Sequence, residues 1–115
     1  MSLESVLTTA LLTVCPRVFP DFAPVSTARP YVTYQQVGGQ AIRFMDHAAA
    51  SKRNARMQIN VWSNTRAEAV TLAQSIENAL CALTTMQCDP DAALTATFDA
   101  DIPVYGCIQD FNIWA

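Results

Sequence analysis

Hydrophobic and polar positions change period several times along the chain, and each change marks an element. Met57, Ile59 and Val61 alternate with Gln58, Asn60 and Trp62, the period of a half-buried strand. A helical period follows. Ala69, Leu72, Ala73, Ile76, Leu80 and Leu83 form one apolar stripe, and Thr71, Gln74, Ser75 and Asn78 lie opposite. Thr65 with Glu68 three residues on reads as a capping box, the hydroxyl taking a free N–H and the carboxylate reaching back. The spacing predicts a helix over 65–83, with Leu72, Ile76 and Leu80 in the core above Ile59 and Val61.

Upstream, Ser2 can cap a helix whose apolar face is Leu3, Val6, Leu7, Ala10, Leu11 and Val14, stopped by Pro16. Pro16, Pro20, Pro24 and Pro30 mark 16–30 as an ordered loop, with Val18, Phe19 and Phe22 as its anchors on the core. Tyr31 to Val37 is aromatic and β-branched and reads as a strand. Gly38-Gly39 fits a two-residue hairpin, and 40–45 is the returning strand. Residues 46–55 are polar and small without a strand pattern, a long loop expected to be mobile.

After Leu83 the pattern dissolves through 84–92, with Asp89-Pro90-Asp91 as a turn. Strands are expected at 93–98 and 107–114, joined by 99–106. The resulting order is α-β-β-β-α-β-β. That order predicts an α+β fold, a mainly antiparallel sheet of about five strands packed against two helices. The 115 residues have room for one domain, 1–115.

Composition narrows the function. The chain is 51% hydrophobic and 15% charged, well under the roughly 25% charged of ordinary domains. Either the core is unusually full beneath a Ser/Thr/Gln surface, or part of the apolar surplus is buried against another chain; the second reading is preferred. No run of about 18 apolar residues is present, so no membrane partner is expected. A net charge of −3 argues against a sequence-specific nucleic-acid binder. The apolar start carries Glu4 and no basic region, unlike a signal peptide. Cys15, Cys81, Cys88 and Cys107 form no C-x-x-C pair and are expected to be reduced thiols.

Candidate chemistry is sparse. His47 is the single histidine and has no evident orienting partner, so a solvated loop residue outweighs a catalytic one. Asp89, Asp91, Asp99 and Asp101 lack the glycine and closing glutamate of a calcium loop. No phosphate-binding glycine loop or nucleophile elbow occurs. No catalytic residue, metal or cofactor is therefore expected. Lys52, Arg53 and Arg56 near His47 make one basic spot that could touch nucleic-acid phosphates or an acidic protein partner, although with three fixed charges a solvated loop outweighs either. Trp62 and Trp114 fall on the polar registers of their strands, beside Asn60 and Asn112. Large aromatics there are candidate interface anchors, or strand-end tryptophans folded over the sheet. The candidate interface set is Trp62, Trp114, His47, Lys52 and Arg53.

Three segments together, "PYVTYQQVGGQ", "RMQINVWSNTRAEAVTLAQSIENAL" and "QDFNIWA", following an amphipathic helix, resemble the tail-completion proteins of long-tailed phages and prophages, also called tail terminators or tail-to-head joining proteins. The likeness covers most of the chain and is weakest over 84–106. It implies a structural, non-enzymatic protein that forms a ring, typically a hexamer, at the head-proximal end of the tail. Implied partners are further copies of itself, the tail tube protein and the head–tail connector. The implied location is the virion tail, with assembly in the host cytoplasm. The alternatives are a small-molecule-binding α+β module, with its ligand in the cleft between sheet and helices, and a small enzyme using His47 and the aspartates.

Overall fold

A computed structural model describes residues 2–41 and 53–115. The elements are α1 (Leu3–Leu12), β1 (Val18–Pro20), β2 (Tyr31–Gly38), β3 (Asn54–Ser63), α2 (Arg66–Cys81), β4 (Gln87–Pro90), β5 (Thr95–Asp99) and β6 (Val104–Trp114). The fold is α+β: two helices on one face of a six-stranded sheet. Strand order is β1-β2-β3-β6-β4, and β5 also pairs with β6. All pairs are antiparallel except β1 with β2.

The long ladder between β3 and β6, from Asn54↔Trp114 to Ser63↔Tyr105, forms the centre. Alternation sorts its residues by face. Ala55, Met57, Ile59 and Val61 of β3 and Cys107, Phe111 and Ile113 of β6 are buried. Above them α2 buries Ala69, Ala73, Ile76 and Leu80, and α1 buries Leu7, Ala10 and Leu11. Full burial of such a side chain contributes about 1.5–3 kcal/mol. Leu72, expected among them, is only partly buried at the margin of the stripe. Gln109, like Ser63, is a polar residue on this face. Its amide donates to Glu77 Oε1 (2.7 Å) and the Ala92 carbonyl (2.8 Å), which removes the desolvation cost of an unpaired group.

The caps follow the expected residues with one change of partner. Ser2 Oγ accepts from the Ser5 N–H (3.1 Å) and Thr65 Oγ1 from the Glu68 N–H (3.2 Å). The Glu68 carboxylate does not close a capping box. It accepts instead from the Ser63 hydroxyl, which is buried at the last position of β3.

Four further expectations are corrected. Residues 16–30 contain β1, whose Val18 pairs in parallel with Val32. Residues 84–92 contain β4, which pairs Cys88 with Ile113. Strand β3 begins at Asn54 rather than Arg56, so residues 54 and 55 leave the predicted loop. Gly38 and Gly39 have positive φ (147° and 139°) but do not make a two-residue hairpin. Gln40 and Ala41 are outside any strand, and β3 is the antiparallel partner of β2. The remainder of the expected returning strand, 42–45, lies outside the described residues. Gly39 is needed for a close approach: a Cβ there would stand 2.7 Å from the Asn54 carbonyl oxygen.

Phe22 is the fifth correction. It was expected to anchor the proline-rich loop on the core, yet it is 76% exposed. Val18 does pack against the core, and Phe19 is half-buried. No helix among the described residues is long and apolar enough to cross a membrane.

Candidate functional site

The helices cover one face of the sheet and leave the other to its own side chains. On β3 this open face carries Asn54, Arg56, Gln58, Asn60 and Trp62, all less buried than their neighbours. On β6 it carries Ile108, Asp110, Asn112 and Trp114, half-buried in the same alternation. The surface is thus a polar carpet with an aromatic at each end. Asn54 and Trp62 are eight residues apart on β3, and Trp114 pairs with Asn54. At about 3.4 Å per residue the two tryptophans are separated by roughly 27 Å. The fold therefore places them in two different patches.

At the first end Trp62 folds across its neighbour strand. It pairs with Gly106, and a Cβ on Gly106 would fall 2.7 Å from Trp62 Cζ3 and 2.8 Å from Cε3. A glycine here lets the indole lie against the β6 backbone. Below it, Asn60 Nδ2 donates to Thr33 Oγ1 (3.4 Å), and Asn60 Oδ1 is buried with no partner among the described residues. Turning the amide over would exchange the two ends and leave the nitrogen unpaired instead. Leaving one end of a buried amide unpaired costs about 1–3 kcal/mol.

At the other end Trp114 is paired with Asn54, and the ladder runs one pair past it. The Arg53 N–H donates to the Ala115 carbonyl (2.7 Å), and the Ala115 N–H donates back to Arg53 (2.9 Å). This extends the ladder by one residue pair, and alternation turns the exposed Arg53 side chain to the opposite face of the sheet from Trp114. His47 and Lys52, expected in the same basic spot, lie outside the described residues, as does 46–52 of the loop expected to be mobile. Arg56 is not a free cation, because its guanidinium pairs with Asp91 at 2.8 Å. Both partners are well exposed, so the pair is worth about 0–1 kcal/mol.

The aspartates do not gather. Asp89 accepts from Gln87 Nε2 (2.9 Å) in β4, and Asp91 is taken by Arg56. Asp99 Oδ1 accepts from the Asp101 N–H (3.0 Å), a turn contact at the far end of β6. Among the described residues no group of three or more His, Cys, Asp or Glu side chains is placed to hold a metal. The thiols Cys15, Cys88 and Cys107 are buried and Cys81 is exposed; all are free. Burial pushes the Cys88 thiol up to about 11, helped by Cys81 and Asp89 nearby. Burial also raises Cys107, with Arg66 pulling the other way. Raised thiols are poor nucleophiles at neutral pH. Between α2 and the sheet the space is about 10 Å³, lined by residues that include Ile59, Ile76 and Phe111. That is room for no more than about one water, so this cleft is core rather than a ligand site.

Two arginines that the sequence reading passed over brace the Trp62 end. Arg66 donates to the carbonyls of Gly106 (3.0 Å) and Thr97 (3.1 Å), with its guanidinium carbon 5.2 Å from the centre of the Tyr105 ring. Arg29 donates to Asn64 Oδ1 (3.1 Å) and to the carbonyls of Pro103 (3.0 Å) and Ile102 (3.1 Å). No local pattern announces these contacts, since they join residues 31 to 74 positions apart in sequence.

The model of the family described as Tail completion protein gp17 matches residues 3–114. The chain belongs to this tail completion family. Its role is accordingly a structural one in the phage tail. The match takes in both helices and all six strands. None of the curated proteins gives a significant match to the chain.

Proposed function

We propose that this protein assembles into a closed ring, a hexamer, that ends the tail tube at its head-proximal end and joins it to the head connector. Membership of the tail completion family over residues 3–114 carries this reading. The surface supports it. A ring that also stacks on other proteins needs different patches on one subunit. Trp62 at one end of the open sheet face and Trp114 at the other would serve as contact surfaces for neighbouring tail and connector proteins. His47, Lys52 and Arg53, the basic residues of the candidate set, are proposed as further contacts for an acidic partner. The net charge of −3 also suits a ring through which DNA passes without adhering, since like charges repel.

Contacts of this size are modest one at a time, and multiple simultaneous contacts at a tube end multiply their effect. In dilute solution the protein is therefore expected as a monomer or a monomer–hexamer mixture, and on tails as a ring. The test is complementation of a phage lacking this protein. Without it, cells should accumulate filled heads with unjoined or overlong tails, seen by electron microscopy. Trp62→Ala or Trp114→Ala should weaken assembly by about 2 kcal/mol or more for whichever residue anchors a contact. Normal tail length and normal joining in the deletion would overturn the reading.

A further inference from the structure

An exposed apolar loop tip and an apolar groove occur on this one chain. The tip is Phe22-Ala23-Pro24-Val25, with Phe22 76% and Val25 97% exposed. It is not a slack loop. The backbone turns through positive φ at Asp21 (64°) and Ser26 (69°), one on each side of the tip. The Phe22 N–H donates to the Pro20 carbonyl (2.7 Å), and the Thr27 hydroxyl and N–H both donate to the Pro24 carbonyl (2.5 and 3.2 Å). Arg29 then ties the end of the loop to Asn64 and to the β5–β6 turn. Two large apolar side chains are thus held out in water at a fixed place, a form that binds with little further ordering cost.

The groove runs along α1 and the segment that follows α2. It is lined by Val6, Thr9, Ala10, Thr13, Leu83 and Thr85 and has a volume of about 540 Å³. None of these six side chains is charged, and neither is any residue of the tip. The exposure of Phe22 and Val25 means that the tip does not sit in the groove of its own chain. Arg29 is bound next to the Thr65 cap, whereas Leu83 lies beyond the other end of α2. The 16 residues between span about 24 Å.

We propose that the Phe22–Val25 tip of one copy seats in the α1–Leu83 groove of the next. The proposal rests on the self-assembly reading above and names the contact between neighbouring subunits. A knob that fits a groove elsewhere on the same molecule makes a head-to-tail contact, which closes as a ring where the rotation per copy allows and otherwise runs on as an open chain. Area selects a closed assembly over an isolated pair. A buried aromatic covers about 150–250 Å², so the tip offers on the order of 300 Å² with Val25 included. A stable interface takes about 800 Å² from each partner. One such seat is too small for a lasting dimer, and each copy in a ring is held by two.

The test uses full-length chains carrying Cys81→Ser, which removes the one exposed native thiol. One chain also carries Val25→Cys and the other Thr9→Cys. They are mixed at high concentration, and in parallel co-expressed and recovered on phage tails, then treated with a short bis-maleimide. Peptide mapping should find position 25 of one chain joined to position 9 of the other. Adding Phe22→Ser to the Val25→Cys chain should lower the yield about tenfold, the effect of losing roughly 1.4 kcal/mol. Absence of the 25–9 link both in solution and on tails overturns the proposal. So does a 25–25 link alone, or linkage of position 9 only to a different tail protein. Native mass measurement of the same samples separates the two readings. Rings without the 25–9 link reject this contact and leave the ring standing. The link found in open chains keeps the contact and rejects the closed ring.

Discussion

The Trp62 indole rests on the α-carbon of Gly106, so closely that a single added methyl group would stand 2.7 Å from its ring. The same methyl would meet Thr97 Cγ2 at 3.0 Å. Gly106→Ala must therefore push the indole away from β6, with an overpacking cost of about 1–3 kcal/mol. Its fluorescence should shift to the red as the ring gains water, and denaturant titration should show the loss. In a Trp62→Ala chain the same change should cost much less. The non-additivity of that double-mutant cycle reports the contact itself, and additive costs would mean the two residues do not touch.

Ile76 and Leu72 divide the α2 stripe. Ile76 is 1% exposed, and Ile76→Ala should cost about 2–5 kcal/mol. Leu72 lies at the margin and only partly buried, so Leu72→Ala should cost clearly less. Chemical denaturation of the two variants checks the order. A reversed order would mean that the helix is rotated about its axis relative to the sheet.

Thr65→Ala removes the acceptor for the Glu68 N–H and should cost about 1 kcal/mol. Glu68→Gln should also destabilise, because the carboxylate receives the buried Ser63 hydroxyl, and a charged acceptor makes the stronger bond. If Glu68 acted only in a capping box, glutamine would replace it with little loss, since either residue fills that position. Thermal melts of the two variants separate these roles.

Cys88 gives a pH dependence with a definite sign. Its thiol is raised from an ordinary 9.0 to about 11 in the folded chain. Folding thus favours the protonated thiol, and this contribution is fully present below about pH 9. It is lost progressively as pH rises from 9 through 11, where the unfolded chain loses its proton first. Between pH 8 and pH 11, wild type should lose more stability than Cys88→Ala, whose remaining titrating groups are the same. Equal losses would show that the thiol is not held protonated.

Thiol labelling at neutral pH checks the same environment. Cys81 is exposed and the other three thiols are buried, so one equivalent of reagent should be taken up by the native protein, at Cys81. The rest should react only on unfolding. Rapid native labelling at Cys107 or Cys15 would mean that the sheet–helix layer opens.

What could be read from the amino-acid order was whatever repeats locally. The alternation over Met57–Val61 and the Ala69–Leu80 stripe each specify a buried face by themselves, because backbone geometry alone sets the periods of strand and helix. Thr65 as a helix cap is equally local, and the tail completion likeness rests on those same segments. The α+β class followed from their order. Elements without enough residues to show a period were not legible. Three-residue β1 ends in proline, and β4 reads Gln-Cys-Asp-Pro. Both are strands only because β2 and β6 offer open ladder edges, and no local sequence records that offer. Pairing of β2 with β3 across 39–53 was likewise decided at long range, and it overrode the hairpin suggested by Gly38-Gly39. The largest difference concerns the surface. An apolar residue announces that burial is favourable but not which surface will bury it. Only the packed layers leave Leu72 at the margin, lay Trp62 on Gly106, and leave Phe22 and Val25 pointing into solvent.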